Sequence, residues 1–281
     1  MNDQFTTHIT AKRRWFDLNL KELWRYRDLI WLFTKRNFIL IYKQTILGPA
    51  WIVLQPLMTT LIYTLVFGGI AGIATDGVPK ILFYMGGTAV WTFFSTCLNK
   101  TSTTFVSNAA VYGKVYFPRL VTPISNVLSS AVNFGVQLAM FLIFWAYYVI
   151  TGQVAPNYWG IALLPLVLIY LGLLSLGLGV IISSMTTKYR DLTLLVTFGV
   201  QLWMYITPVV YPISTMGTGL LRTVILLNPV TCAVEAFWWM FLGSGLMDPV
   251  NWVISSSVMV VVVVFGVLIF NRVEKTFMDT V

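Results

Sequence analysis

Catalysis needs titratable or nucleophilic side chains gathered at one place, and this sequence keeps them apart. His8 is the single histidine; it sits in a polar lead-in and is expected to take no part in catalysis. The ten carboxylates are scattered, with no pair spaced to work as acid and base. Cys97 and Cys232 lie in apolar runs without a CxxC motif or a histidine neighbour. Both are expected as small buried hydrophobes, with neither metal nor disulfide. No G-x-x-x-x-G-K-[ST] loop occurs, so the chain is expected to hydrolyse no ATP of its own. One acid is conspicuous. Glu235 stands alone in the apolar run 230–242, and an ionisable group at membrane depth is a functional candidate. The competing reading pairs it with Arg222 near the water boundary, and the two stay open.

The surrounding composition says what solvent these residues meet. Of 281 residues, 58% are hydrophobic and 10% charged, against about 25% charged in soluble domains. Residues 45–75 carry no charge, a run well beyond the ~20 residues that cross a bilayer. The chain is therefore expected to be an all-α polytopic membrane protein. Its net charge of +8 forms no basic patch on a soluble domain, so nucleic acid is not expected as a partner. The polar start, about 22 residues long by sequence, predicts no cleavable leader.

Two parts are expected: residues 1–49, a cytoplasmic lead-in with an amphipathic interface helix, and residues 50–281, the transmembrane domain. On a helical wheel for residues 21–43, Lys21, Glu22, Arg25, Asp28, Lys35, Arg36 and Lys43 share one side. Leu23, Tyr26, Ile30, Trp31, Phe33, Phe38 and Ile41 share the other, with Leu29, Leu32, Ile39, Arg27 and Asn37 out of pattern. Such a helix lies at the head groups of membrane lipids, either to engage them or simply to anchor the first span. Gly48-Pro49 breaks it, and Trp51 opens the span as an interfacial aromatic.

Six spans follow, at about 51–73, 81–98, 125–150, 161–185, 192–211 and 252–270. The polar break 151–157 divides the 68 uncharged residues 120–187 into the third and fourth. Between the fifth and sixth, residues 215–245 hold two pieces too short to cross, 220–227 and 230–242. They are split by Asn228-Pro229 and closed by Gly243-Ser-Gly245. Two re-entrant helices are expected there, covered by protein or a water-filled cavity. With the N-terminus inside, sixteen of the eighteen Lys and Arg fall on the cytoplasmic side, against Lys80 and Arg222 outside. Both termini are thereby predicted to be cytoplasmic.

The loop 100–123 is predicted to hold a short helix over 103–112, closed by Gly113 and followed by the breaker Phe117-Pro118. Residues 187–191 form a tight loop. These are either docking pieces for a soluble partner or plain connectors. The spans hold no acids, so a gradient-coupled carrier fits poorly and a partner engine fits better. Tyr205, Tyr211, Trp238 and Trp239 belong to an aromatic population of 15%. It suits a sugar-stacking conduit as well as an interfacial belt.

Tyr26-Arg-Asp-Leu-Ile-Trp31 followed by Tyr42-Lys-Gln-Thr-Ile-Leu-Gly-Pro-Ala-Trp51 resembles the first-span entrance of permease subunits from polysaccharide-exporting ABC transporters. That class covers O-antigen, teichoic-acid and capsule export. Asn108-Ala-Ala-Val-Tyr-Gly-Lys-Val-Tyr-Phe-Pro-Arg119 is similar to the family's coupling-helix loop, and Tyr189-Arg-Asp191 to its second cytoplasmic loop. Asn228-Pro229 with Glu235 matches its re-entrant helices. The resemblance spans residues 21–275. It implies a homodimer in the bacterial inner membrane, two ATP-binding cassette subunits that hold ATP and Mg, and a lipid-linked glycan as substrate. No cofactor is expected in this chain. Arg36, Tyr42 and Lys43 would form the substrate entrance, with Arg36 and Lys43 meeting the lipid pyrophosphate. Ser107, Asn108, Tyr112, Gly113, Tyr189, Arg190 and Asp191 would receive the ATPase stroke. Glu235, Trp238, Trp239, Tyr205 and Tyr211 would form the outer gate. Family members often carry an arginine three or four residues after the acid at Glu235; Trp238-Trp239-Met240 stands here instead. That departure favours stacking at the gate over an ion pair. The alternatives are an ABC permease for another lipid or drug and a membrane enzyme acting on polyprenyl sugars; the latter lacks an Asp-rich metal loop.

Overall fold

A computed structural model describes residues 20–43, 45–115, 117–186, 189 and 191–276. The lead-in with His8, and Arg190 in the tight loop, lie outside the described residues, and Tyr42 is described only as the last residue of its helix. Every regular element described is helical.

The interface segment is two helices, α1 (Leu20–Arg25) and α2 (Arg27–Tyr42), broken at Tyr26. The break resets the wheel. Leu23, Tyr26, Leu29 and Ile30 pack inward behind buried Phe33, and Asn37 donates to Asn126 Oδ1 at 2.9 Å. Trp31, expected on the apolar side of the wheel, is 65% exposed. It continues a second apolar stripe of Trp24, Leu32, Ile39 and Leu40. One stripe meets the bundle and the other is left for lipid, which is why no clean polar face exists.

A short turn at Gly48–Ala50 leads into α3 (Trp51–Tyr63), which runs on as a π-helical stretch through Thr64–Ile70. Next come α4 (Lys80–Ser102), α5 (Thr104–Tyr112), α6 (Val121–Ile150), the single turn α7 (Tyr158–Ile161) and α8 (Leu164–Thr186). The chain finishes with α9 (Leu192–Ile206), α10 (Leu220–Leu227), α11 (Pro229–Leu242) and α12 (Pro249–Thr276). Among the described residues five helices are long and apolar enough to cross a membrane, and the pair α10–α11, bent by 85°, is either a broken span or a re-entrant loop.

The fifth expected span differs. Helix α9 ends at Ile206 because Pro208 forces Thr207 into extended backbone (φ −100°, ψ 135°). Its 15 residues rise roughly 22 Å, short of the ~30 Å hydrocarbon core. The buried segment that follows is covered by protein, as backbone at depth requires. A Cβ on Gly87 would stand 2.6 Å from the Val209 carbonyl oxygen, so α4 offers a glycine where that loop presses in.

Helix α4 is the axis of the bundle. It packs on α3, α6, α8, α9 and α11, and its buried face includes Phe83, Tyr84, Phe94 and Leu98. Close approach to α8 is made at Gly179, where a Cβ would fall 2.5 Å from Thr101 Cβ. Small residues let membrane helices approach in this way where lipid supplies no hydrophobic drive. Cys97 and Cys232 are free and buried.

Candidate functional site

Three places carry the polar and aromatic residues singled out above. The first is the end of the bundle where α2, α5, α6, α8 and α12 meet, here called the basal end. Phe33, Phe105, Tyr112, Phe117, Val121, Val180 and Phe270 form one buried cluster. Phe105 stacks on Phe270 (5.0 Å, 22°), Tyr112 meets Phe117 at 5.6 Å, and Phe117 meets Phe33 edge-on at 5.6 Å. The cluster therefore joins α5 to α2 through side chains in direct contact. Tyr112 is buried, its hydroxyl bonded to that of Thr122. Ser107 and Gly113 are exposed, and Asn108 Nδ2 donates to the Thr104 carbonyl at 2.9 Å. Gly113 closes α5 as expected, with right-handed backbone (φ −75°). Tyr189 and Asp191 are exposed on the neighbouring loop. Among the expected coupling residues, Tyr112 is thus an anchor, while Ser107, Gly113, Tyr189 and Asp191 are surface.

On α2, Arg36 sits 4.5 Å over the Phe33 ring and donates to Asn37 Oδ1 at 3.3 Å. Its Nε is buried and unpartnered. A solvated position beside the other cations, expected from the wheel, is not what α2 gives it. Lys43 is exposed just beyond the helix.

The second place is the α10–α11 bend. Asn228 Oδ1 caps α11 at Val230 N (3.1 Å) and accepts from Trp203 Nε1 (3.1 Å), while its Nδ2 donates to Thr207 Oγ1 at 2.8 Å. One side chain thus joins the bend to α9. Gly243, at φ +68°, ends α11. Glu235 is 4% exposed. Its Oε2 accepts from Leu246 N at 2.7 Å, and Oε1 has no hydrogen-bond partner. Arg222 forms no ion pair with it among the described residues, and its Nε is itself unpartnered. The acid fastens the turn that folds back over α11, where Gly245 passes so close that a Cβ would stand 2.6 Å from the Glu235 carbonyl oxygen.

The two tryptophans expected to stack at the outer gate are both held against protein. Trp238 is 1% exposed, stacks on Phe83 at 4.0 Å and donates from Nε1 to the Phe83 carbonyl at 3.3 Å. It belongs to the core of α4 and α11. Trp239 lies half-buried against Gly160, whose Cβ would be 2.5 Å from its ring. A bare count of aromatics at membrane depth does not separate core from lumen. Tyr205 is 63% exposed, and Tyr211 donates to its carbonyl at 2.9 Å.

The third place went unread in the sequence. A cavity of about 480 Å³ lies between α3, α4 and α6, lined by Gln55 and Thr59 of α3, Thr92, Thr96 and Lys100 of α4, and Gln137 of α6. The signal for it was the spacing 88, 92, 96, 100 on α4, three threonines and a lysine four residues apart in an apolar helix, which share one face. Lys100, expected in the loop, stands in the last turn of α4. Its carbonyl accepts from Asn126 Nδ2 at 3.1 Å. The amides of Asn37 and Asn126 therefore link α2 to the basal end of this cavity. The lining offers donors and acceptors with no nucleophile and base in contact. It is suited to holding a polar ligand.

Comparison with known proteins agrees with this architecture. The ABC-2 type transporter family matches residues 28–242. The chain is 28% identical over 264 residues to a Myxococcus xanthus protein named O-antigen export system permease protein RfbA, covering 93% of this chain and 98% of the relative. Two Klebsiella pneumoniae proteins of the same name are 27% and 25% identical over 252 residues, 90% of this chain and 94% of each relative. The matched stretch runs from the start of α2 to the end of α11 and takes in most of the sequence, and the chain belongs to the ABC-2 type transporter family.

Proposed function

We propose that this chain is the transmembrane subunit of an exporter that moves a lipid-linked polysaccharide of the O-antigen type across the bacterial inner membrane. The observation that carries the proposal is the nearly end-to-end match to relatives named O-antigen export permeases. A polar cleft within an apolar bundle supports a hydroxyl-rich cargo over a purely apolar one. The chain works as a homodimer with two ATP-binding cassette subunits, both termini on the cytoplasmic side, and carries no ATPase of its own.

In this account the basal end faces the cytoplasm. The exposed side of α5, with Ser107 and Gly113, receives the motion of the ATPase, together with Tyr189, Arg190 and Asp191. Phe105 and Phe117 hand that motion to α12 and α2, because a packed aromatic cluster shifts as a unit more readily than it compresses. Helix α2 bears Arg36, and Lys43 follows it, so the stroke reaches the cations proposed to meet the lipid pyrophosphate. At the far end, Tyr205 and Tyr211 remain candidates for the outer gate. Trp238 and Glu235 shape the bend behind it.

The test replaces the entrance cations. Arg36→Ala with Lys43→Ala is expected to abolish surface glycan while the protein still reaches the membrane and assembles with its ATPase. Normal surface glycan in that double variant removes the entrance role.

A further inference from the structure

We infer that the cleft between α3, α4 and α6 is a binding site for a phosphate-type anion, with Lys100 as the group that holds it. The inference rests on the export reading for one point, that the Thr and Gln side chains beyond Lys100 contact the sugar next to the phosphate.

The first reason is the state of the lysine. Lys100 lines the cleft, yet its Nζ is shielded from solvent and has no hydrogen-bond partner. A buried ammonium without a partner is costly, and chains keep such groups where a ligand supplies the missing charge. The second reason is the lining. Gln55, Thr59, Thr92, Thr96 and Gln137 supply hydroxyl and amide groups, and no Asp or Glu lines the cleft to neutralise the lysine or repel an anion. The third reason is a second cation at the same end. Arg36, its Nε also buried and unpartnered, reaches the turn of Lys100 through Asn37 and Asn126. Two cations with unused donors flank one amide pair, and phosphate oxygens accept from both side-chain types. A cavity of about 480 Å³ is within the range of small-ligand sites.

The ligand chemistry is a phosphate or pyrophosphate, and it has two sources, a lipid head group or a free anion. Calorimetric titration of the full chain in lipid nanodiscs separates them, with farnesyl pyrophosphate, inorganic pyrophosphate and farnesol as probes. Farnesyl pyrophosphate bound at least tenfold tighter than inorganic pyrophosphate identifies a lipid head group, and equal affinity identifies a free anion. Farnesol is expected not to bind. K100M should weaken pyrophosphate binding at least tenfold without lowering the midpoint of thermal unfolding, because the substitution removes a buried charge and keeps the stem. A second measurement does not depend on that variant. Thr96→Cys places a thiol in the cleft, while the native cysteines are buried. Inorganic pyrophosphate is expected to slow its labelling by a charged thiol reagent severalfold. Wild-type affinity in K100M, or labelling of T96C unaffected by saturating pyrophosphate, overturns the site. Surface glycan keeps the two proposals apart. Wild-type pyrophosphate affinity in K100M, with surface glycan lost when the chain is deleted, removes the site and leaves the export reading. Pyrophosphate held through Lys100, in a chain whose deletion leaves surface glycan unchanged, removes the export reading and leaves the site.

Discussion

Glu235 shows how a single residue can be conspicuous for a reason other than chemistry. A lone acid in an apolar run advertises function, yet here it accepts from the Leu246 amide and holds a glycine-bearing turn against α11. Glu235→Ala should leave that buried donor unpaired and cost about 1–3 kcal/mol, whereas Glu235→Gln keeps an acceptor and should cost less. Thermal unfolding in detergent orders the two; equal losses would contradict the hydrogen-bond account. Trp238 makes the same point more strongly. Enclosed between α4 and α11, it should cost about 3–5 kcal/mol when cut to alanine. Trp238→Ala is therefore expected to reduce folded protein before it affects transport. Normal folding with slowed export would return it to the gate.

At the scale of elements, the interruptions were legible because Pro and Gly act locally. Asn228-Pro229 and Gly243 each bend or end a helix where their backbone chemistry demands, whereas Gly48-Pro49, expected to break the interface helix, instead opens α3, α2 having already ended at Tyr42. Faces were less legible, since they depend on partners distant in sequence. Trp31 and Phe33 are two residues apart, one exposed and one buried, because the break at Tyr26 and the approach of α6 choose the packed stripe. The threonine and lysine ladder of α4 was present in the sequence as a four-residue repeat. It gained meaning only when α3 and α6 brought Gln55, Thr59 and Gln137 to the same face. The proposed transmission through Phe117 is testable at this scale. It touches both Phe33 and Tyr112, so Phe117→Ala should separate α5 from α2. In the assembled transporter, ATP hydrolysis is expected to persist while export falls at least tenfold. Export and hydrolysis falling together would place the fault in assembly.

For the whole molecule, membership of the ABC-2 type transporter family opens the proposed division of labour, a membrane subunit with a separate ATP-binding cassette motor, to a direct test. Purified alone and reconstituted in liposomes, the chain is expected to turn over no ATP. Turnover should begin when an ATP-binding cassette partner is added and vanish again when that partner's own phosphate-binding lysine is changed.

The most direct measurement follows the glycan. In a strain lacking this chain but retaining the glycan's synthetic enzymes, lipid-linked polysaccharide is predicted to accumulate on the cytoplasmic leaflet and disappear from the cell surface, with both defects reversed by the wild-type chain. Surface polysaccharide present in normal amount without the chain would contradict the account.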